Sequence, residues 1–360
     1  MRKIQISSDY LISILTGLLT IASPAGFTDE ISSYVGKELG SLGFRVNRTR
    51  RGAIRATLPG RQHPPDHDAP DRAIVAHVDT LGAMVRSVEK RGRLSISPVG
   101  KWSSRFAEGA RVTVFTETGP VRGTVLPLMS SGHIYGDAVD AQPTGWDHVE
   151  VRIDYPCETA KDAASAGIQV GDFIAFDSAL EVTATGFVNA RHLDDKAGAA
   201  ILLAVAKSVS EGGLELPVDC HLLFTTTEEV GTGACAVVYD DVDELVVIDH
   251  APVGPGQKAI EAGVTLCMMD QSGPFDLHLT RHLIQLCNQY DIASVRDLYK
   301  HYRSDSAAAI EAGSDIRTAL IGFGVDASHG YERTHLSSLM AVADLIGYYI
   351  QSPLRPVLRT

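Results

Sequence analysis

Five separated segments of this chain run from apolar residues into a carboxylate or a histidine. They are Ala73-Ile74-Val75-Ala76-His77-Val78-Asp79, Leu193-Asp194-Asp195-Lys196, the run from His221 to Glu228-Glu229, Leu245-Val246-Val247-Ile248-Asp249-His250, and the run from Thr318 to Gly324 that continues to His329. His77, Asp194, Glu229, Asp249 and His329 make a candidate ligand set of two imidazoles and three carboxylates, a mixture that suits zinc, cobalt or manganese. Two divalent ions carry four positive charges against three carboxylates. One bridging hydroxide would bring the cluster to neutrality, and metal sites of this kind generate hydroxide near neutral pH. One carboxylate must then bridge the ions. Glu228, beside a ligand, is placed to take the proton of bridging water and hand it to a leaving amine. Asp79 stands two residues from His77, on the same strand face, and fits a partner that holds the imidazole in one tautomer.

Each segment alone has a plainer reading. Asp194 and Asp195 begin a helix, where carboxylates cap free N–H groups. A lone histidine on a buried strand is usually structural, and Glu228-Glu229 could be solvated charge at a strand end. Two adjacent glutamates point to opposite faces of a strand, so only a bent exit presents both to one place; Gly231 and Gly233 permit such a bend. The metal reading rests on convergence, because the carboxyl ends of strands in an open α/β sheet open onto one crevice.

The elements that must position these residues follow from pattern. A helix is expected over the apolar residues from Leu11, ending at Ser23-Pro24, and another from the Thr28 cap to about Leu42, closed by Gly43. Residues 44–58 read as an exposed hairpin edge protected by arginines, and Gln62 to Asp71 as a proline-rich surface loop. Ala73–Ala76 is a strand buried on both faces. Residues 87–187 hold short alternating segments such as Arg111–Phe115 and His148–Ile153, many glycines and a helical patch near Ala160–Ala166. They read as a β-rich module inserted into an α/β domain made of 1–86 and 188–360. Beyond it come a helix from Asp195 to about Val209, strands at His221–Thr226 and ending at Asp249, a helix over Phe275–Gln289 and a strand near Ser294–Leu298. A helix from Ser306, a strand to Phe323 and a last helix over Leu336–Ile350 complete the pattern.

Composition narrows the function further. A net charge of −12 argues against nucleic acid as a partner, which needs a basic face. No stretch reaches the ~18 uninterrupted apolar residues of a membrane span. Arg2, Lys3 and the following apolar run could pass for a signal peptide, but Asp9 interrupts the approach and an amphipathic helix fits the same residues. The five cysteines are scattered, with no Cys-x-x-Cys pair, as expected of reduced thiols in a cytoplasmic protein.

The motifs His77-Val78-Asp79-Thr80-Leu81-Gly82, Leu193-Asp194-Asp195-Lys196-Ala197-Gly198, Glu228-Glu229-Val230-Gly231, Ser304-Asp305-Ser306 and the His329 region resemble, in the same order, the M42 metallo-aminopeptidases. These include glutamyl aminopeptidases and TET-like enzymes, and the resemblance runs from about Ile14 to the C-terminus. It implies a di-metal exopeptidase-like, three-layer α/β catalytic domain interrupted by a PDZ-like β-rich domain with oligomerisation and gating roles. It also implies removal of N-terminal residues from small peptides, and a homo-oligomer that is often a dodecamer. Carried over by motif, Asp194 bridges two divalent ions, zinc by preference with cobalt or manganese as alternatives. His77 and Asp249 then complete one ion, Glu229 and His329 the other. Glu228 becomes the general base and Asp79 the residue orienting His77. The chain departs from the family pattern at Asp326-Ala327-Ser328-His329-Gly330, with His335 nearby as a competing last ligand, at Lys196, where arginine is common, and at His250, where an apolar residue is usual. It is also similar to a subgroup associated with biosynthesis of small glutamine-containing dipeptide osmolytes. Two other functions fit the same residues: a deacylase or amidohydrolase of a small N-acylated dipeptide metabolite, and a non-catalytic assembly or binding protein on this scaffold.

Overall fold

The computed structural model describes residues 1–61 and 70–354. The stretch read as a proline-rich surface loop therefore lies outside the described residues, except for its last two positions. Strands Cys220–Thr225, Asp71–His77, Val242–Val253 and Arg317–Asp326 lie side by side and parallel at the centre of an 11-stranded sheet. Their apolar runs show no alternation because both faces are covered; all six residues of Cys220–Thr225 are buried. Ile54–Leu58 and then Val46–Arg48 extend one side antiparallel, so the arginine-bearing hairpin forms the sheet's edge. Arg48 pairs there with Asp29, while Arg55 donates to the Ala236 carbonyl.

One face of the sheet is covered by helices Ser8–Thr20, Asp29–Ser41, Leu193–Gly212, Leu277–Gln289 and Leu336–Tyr349, whose apolar residues form one continuous core. Leu193–Gly212 is buried on nearly every side, as a helix apolar all round must be. Each fully buried Leu, Ile or Val in this layer contributes about 1.5–3 kcal/mol. The other face carries a second core with Ala234, Tyr299, Tyr302 and Ala309 from the helix Asp305–Glu311. The arrangement is a three-layer α/β fold.

Six antiparallel strands between Gly82 and Phe176 close into a barrel with its own core, including Val85, Ile96, Val112, Val114, Val151 and Ile174. The barrel begins at Gly82, directly after the Asp79 segment. Glu181–Val182 and Phe187–Ala190 already belong to the main sheet, pairing back toward Glu332–His335. The patch near 160–166 is the helix Ala160–Ser165, held by a capping box of Thr159 and Asp162.

The strand expected to end at Asp249 continues to Val253, because its partner Arg317–Asp326 runs equally far. On its other side, pairing with Asp71–His77 stops at Val247 and Val75. Beyond that point the two parallel strands separate, and the gap is the crevice that receives His77 and Asp249.

The first helix ends at Thr20, earlier than Ser23-Pro24 suggests. Lys196 explains how it is finished. Its buried Nζ donates to the Ile21 carbonyl at 2.6 Å, a cation at a helix C-terminus, and burial lowers its pKa to about 7. Among the described residues no helix is long and apolar enough to cross a membrane.

Candidate metal centre

His77 is the last residue of its strand and is 2% exposed. Its backbone N–H donates to Asp195 Oδ2 at 3.1 Å, and its Nδ1 lies 3.0 Å from the Asp79 backbone oxygen. The Asp79 carboxylate is further away, 3.6 Å from that nitrogen, and is occupied elsewhere. Its two oxygens accept the backbone N–H groups of Glu228 at 3.1 Å and Glu229 at 3.2 Å. Asp79 therefore fixes the histidine through its main chain and the glutamate pair through its side chain.

That glutamate pair follows strand Cys220–Thr225 on a tight turn, in which the Gly231 N–H donates to the Glu228 carbonyl at 2.6 Å with Gly231 at φ +81°. Gly233 serves a different end from the sharp turn expected of it. A Cβ there would stand 2.1 Å from Asp305 Oδ1, the atom that accepts the Ala234 N–H at 2.7 Å. Asp305 also accepts from the Thr225 hydroxyl, so it anchors the glutamate turn from the far side.

Asp194 lies at the centre. Its backbone and that of Asp195 are not helical, so the regular helix starts after them and the Asp194 side chain projects into the crevice. Asp194 Oδ1 is 3.0 Å from His77 Nε2, while Oδ2 is 3.3 Å from His329 Nε2 and 3.0 Å from His250 Nδ1. His77, Asp194 and Asp249 offer three donor atoms within 4.8 Å of one another, and Asp194, Glu229 and His329 offer a second such triad. The two triads share Asp194.

His329 sits in the loop after Arg317–Asp326 with φ +64°, a left-handed conformation that costs a non-glycine residue roughly 1–3 kcal/mol. Two contacts hold it there. Its N–H donates to Glu332 Oε1 at 2.9 Å, and its Nδ1 lies 3.2 Å from the Lys101 carbonyl, which comes from the barrel. His335 is turned away, with its ring nitrogens 2.6 Å from Ser337 Oγ and 2.9 Å from the Thr185 carbonyl.

Electrostatics favour a cation here. Burial pushes the carboxyls of Glu228 and Glu229 well above their usual range, and neighbouring carboxylates add to the rise. Burial would also raise Asp194, but His250, His329 and His77 hold it well below the ordinary value. His77 and His250 are raised against the opposing effect of burial by the carboxylates that face them. Buried acids outnumber the imidazoles, and the donors are nitrogen and oxygen only, with the cysteines elsewhere. The donor set therefore fits divalent ions of the zinc, cobalt and manganese type.

Three further residues join the cluster: His250, noted above only as a departure from the family pattern, and Glu332 and Tyr302, which the sequence did not single out. His250 reaches Asp249 Oδ1 at 3.0 Å as well as Asp194. Glu332 accepts the N–H of Asp194 at 3.1 Å in addition to that of His329, and burial lifts its carboxyl to about 7. Tyr302 donates to the His250 carbonyl at 3.1 Å. In front of the cluster opens a cleft of about 1280 Å³, lined by Trp102 and Phe106 from the barrel and by Tyr299, His301 and Arg303 from the facing loop.

The family described as M42 glutamyl aminopeptidase matches residues 52–345 of this chain. YhfE of Bacillus subtilis (strain 168) is 39% identical over 344 residues, covering 95% of this chain and 98% of that protein. The glutamyl aminopeptidase of Lactococcus lactis subsp. cremoris (strain MG1363) is 24% identical over 323 residues and covers 87% of each. Among solved structures, a TET aminopeptidase from a marine sediment thaumarchaeote superposes with TM-score 0.85 at 22% identity, covering 96% of each chain. The TET1 peptidase of Pyrococcus horikoshii gives TM-score 0.81 at 20% identity, over 94% of this chain and 99% of that one. At such identities the structural likeness speaks to the fold.

Proposed function

Because the chain belongs to the M42 glutamyl aminopeptidase family and is a metallo-aminopeptidase, we propose that it removes the N-terminal residue of small peptides at a pair of divalent ions held by His77, Asp194, Asp249, Glu229 and His329. The observation that carries this reading is the Asp194 carboxylate, one oxygen of which faces His77 and the other His329. Bound there, such ions supply an acidified water as nucleophile and a Lewis acid for the scissile carbonyl. Zinc is the first candidate, and cobalt or manganese suits the same donors.

The chain's own residues do the rest. Glu228 Oε2, 3.8 Å from His77 Nε2 at the edge of the cluster, accepts the proton of the attacking water. It then delivers that proton to the nitrogen of the departing peptide as the C–N bond breaks. Asp79 holds the backbone of that glutamate still, and Trp102 and Phe106 wall off one side of the cleft. His329 is the last ligand in this reading, since His335 spends both ring nitrogens elsewhere.

A free α-amine is the substrate feature that separates an aminopeptidase from a deacylase. The enzyme is expected to cleave an unmodified dipeptide and leave its N-acetylated form intact, as read by mass spectrometry. Cleavage of the acetylated form alone would move the assignment to an amidohydrolase.

We further propose that the barrel, the inserted module first expected over 87–187, supports self-assembly and limits substrate size. The P. horikoshii TET1 peptidase is described as assembling into a tetrahedron or a large octahedral shell, and the Lys101–His329 contact sets the barrel against the site. Light scattering of the intact protein is expected to give a homo-oligomer, and replacement of the barrel by a short Gly/Ser linker should reduce its mass. A monomeric intact protein, or an unchanged oligomer after replacement, would refute the assembly role. The unpaired cysteines agree with a cytoplasmic location.

A further inference from the structure

The three strands that carry His77, Glu229 and Asp249 toward the crevice bring a second constellation together at their opposite ends. Asp71 opens the first strand, His221 is the second residue of the next, and Asp241 immediately precedes the third. The strands are parallel neighbours, so these leading residues meet at one edge of the sheet. The length of Asp71–His77, at about 3.3 Å per residue, separates that edge from the crevice by roughly 20 Å.

His221 Nε2 is 3.4 Å from Asp71 Oδ2 and 3.9 Å from Asp241 Oδ1. One donor atom from each residue lies within 4.8 Å of the other two. Ligands bound at about 2.0–2.2 Å around a tetrahedral ion stand roughly 3.3–3.6 Å apart, close to the spacing seen here.

The histidine supplies an independent sign. Its side chain is 7% exposed, and among the described residues neither its Nε2 nor Asp241 Oδ1 has a hydrogen-bond partner. A buried polar atom without a partner is disfavoured by about 1–3 kcal/mol, so something is expected to satisfy it. The other ring nitrogen is already engaged, 2.9 Å from the Thr57 hydroxyl. If that hydroxyl accepts from Nδ1–H, the Nε2 lone pair faces the cluster, the orientation a metal-ligating histidine requires. Asp71 shows the same division of labour, with Oδ1 accepting the Asp219 N–H at 3.1 Å and Oδ2 facing the histidine. Tyr239 packs against the imidazole at 4.4 Å between centroids, and the Arg55 guanidinium lies over that tyrosine. Two carboxylates and a neutral imidazole also balance the charge of one divalent ion.

We infer that Asp71, His221 and Asp241 form a further metal site, for a divalent ion of the zinc or manganese type, which ties together the leading ends of three central strands. The inference does not depend on the number of ions in the crevice, because its test reads a difference. The intact protein is incubated with zinc or with manganese and desalted, and its metal content is measured by elemental analysis. Wild type is expected to retain one equivalent more than Asp241→Asn and one more than His221→Gln. Asp241 is 30% exposed at its side chain and lies outside the strand, so its variant keeps the fold and serves if His221→Gln does not. Equal metal content in wild type and Asp241→Asn would overturn the inference. Zinc-edge anomalous diffraction from wild-type crystals provides a check without any substitution. A peak between the three donors is expected, and its absence overturns the site.

Discussion

Asp194→Ala is expected to release the bound metal and to lower kcat by at least ~10⁴, since loss of the ions removes both nucleophile activation and carbonyl polarisation. The size of the effect follows from position. Asp194 is the one carboxylate common to both triads, so its removal leaves two donors in each. It also strips the facing acid from His77, His250 and His329 together. The backbone N–H of residue 194 keeps its bond to Glu332, so the helix that starts here should survive and the protein should stay folded. Elemental analysis and a turnover assay on the same preparation decide the matter. A folded variant that retained two equivalents of metal in the crevice would disprove the bridging role.

Glu228→Gln is expected to separate chemistry from metal binding. The substitution preserves shape and the backbone contact to Asp79, while removing the carboxylate proposed to move the proton. Metal content should be unchanged and kcat should fall by ~10²–10⁴, the usual range for a positioned acid or base. A pH profile adds a signature. Burial first, and then the charges of Asp249, Asp305 and Glu229, raise the Glu228 carboxyl, with His77 opposing. A base with a raised pKa is lost by protonation as pH falls. Wild-type activity should therefore decline on the acid side, and the residual activity of the glutamine variant should lack that limb. Metal loss in the variant, or turnover close to wild type, would end the role given to Glu228.

The architecture is largely legible in the sequence, because burial on both faces writes central strands as unbroken apolar runs and the catalytic candidates stand where those runs stop. Ala73–Ala76 before His77 and Leu245–Ile248 before Asp249 are the plainest cases. The extent of a strand is less legible. Nothing in Asp249-His250-Ala251-Pro252 announces that the ladder continues to Val253, since that depends on the length of the neighbouring strand. The supporting residues are harder still. Glu332 acts by accepting the backbone N–H of Asp194, far away in the chain, and such a contact leaves no periodic trace; Asp305 is visible as part of Ser304-Asp305-Ser306, but its bond to the Ala234 N–H is not. Gly233 looks like a turn residue yet is small because a carboxylate oxygen occupies the space beside it. His250 stands out in the sequence as polar, but adjacent strand residues normally face opposite ways, so nothing there announces that it and Asp249 both approach Asp194.

The order of strands in the sheet also sets a timetable for synthesis. Asp71–His77 is flanked by Cys220–Thr225 and Val242–Val253, and both neighbours come later in the chain. At 5–20 residues per second, on the order of ten seconds pass between the first strand leaving the ribosome and the arrival of a partner. During that interval a strand with the apolar centre Ala73–Ala76 offers two open edges, the state in which nascent chains mispair or engage chaperones. The barrel, all of whose strands precede Cys220 and half of whose pairings join neighbours in sequence, can close in the meantime. His329 and its holder Glu332 emerge near the end, so a chain cut short would lack the last residue of the proposed site.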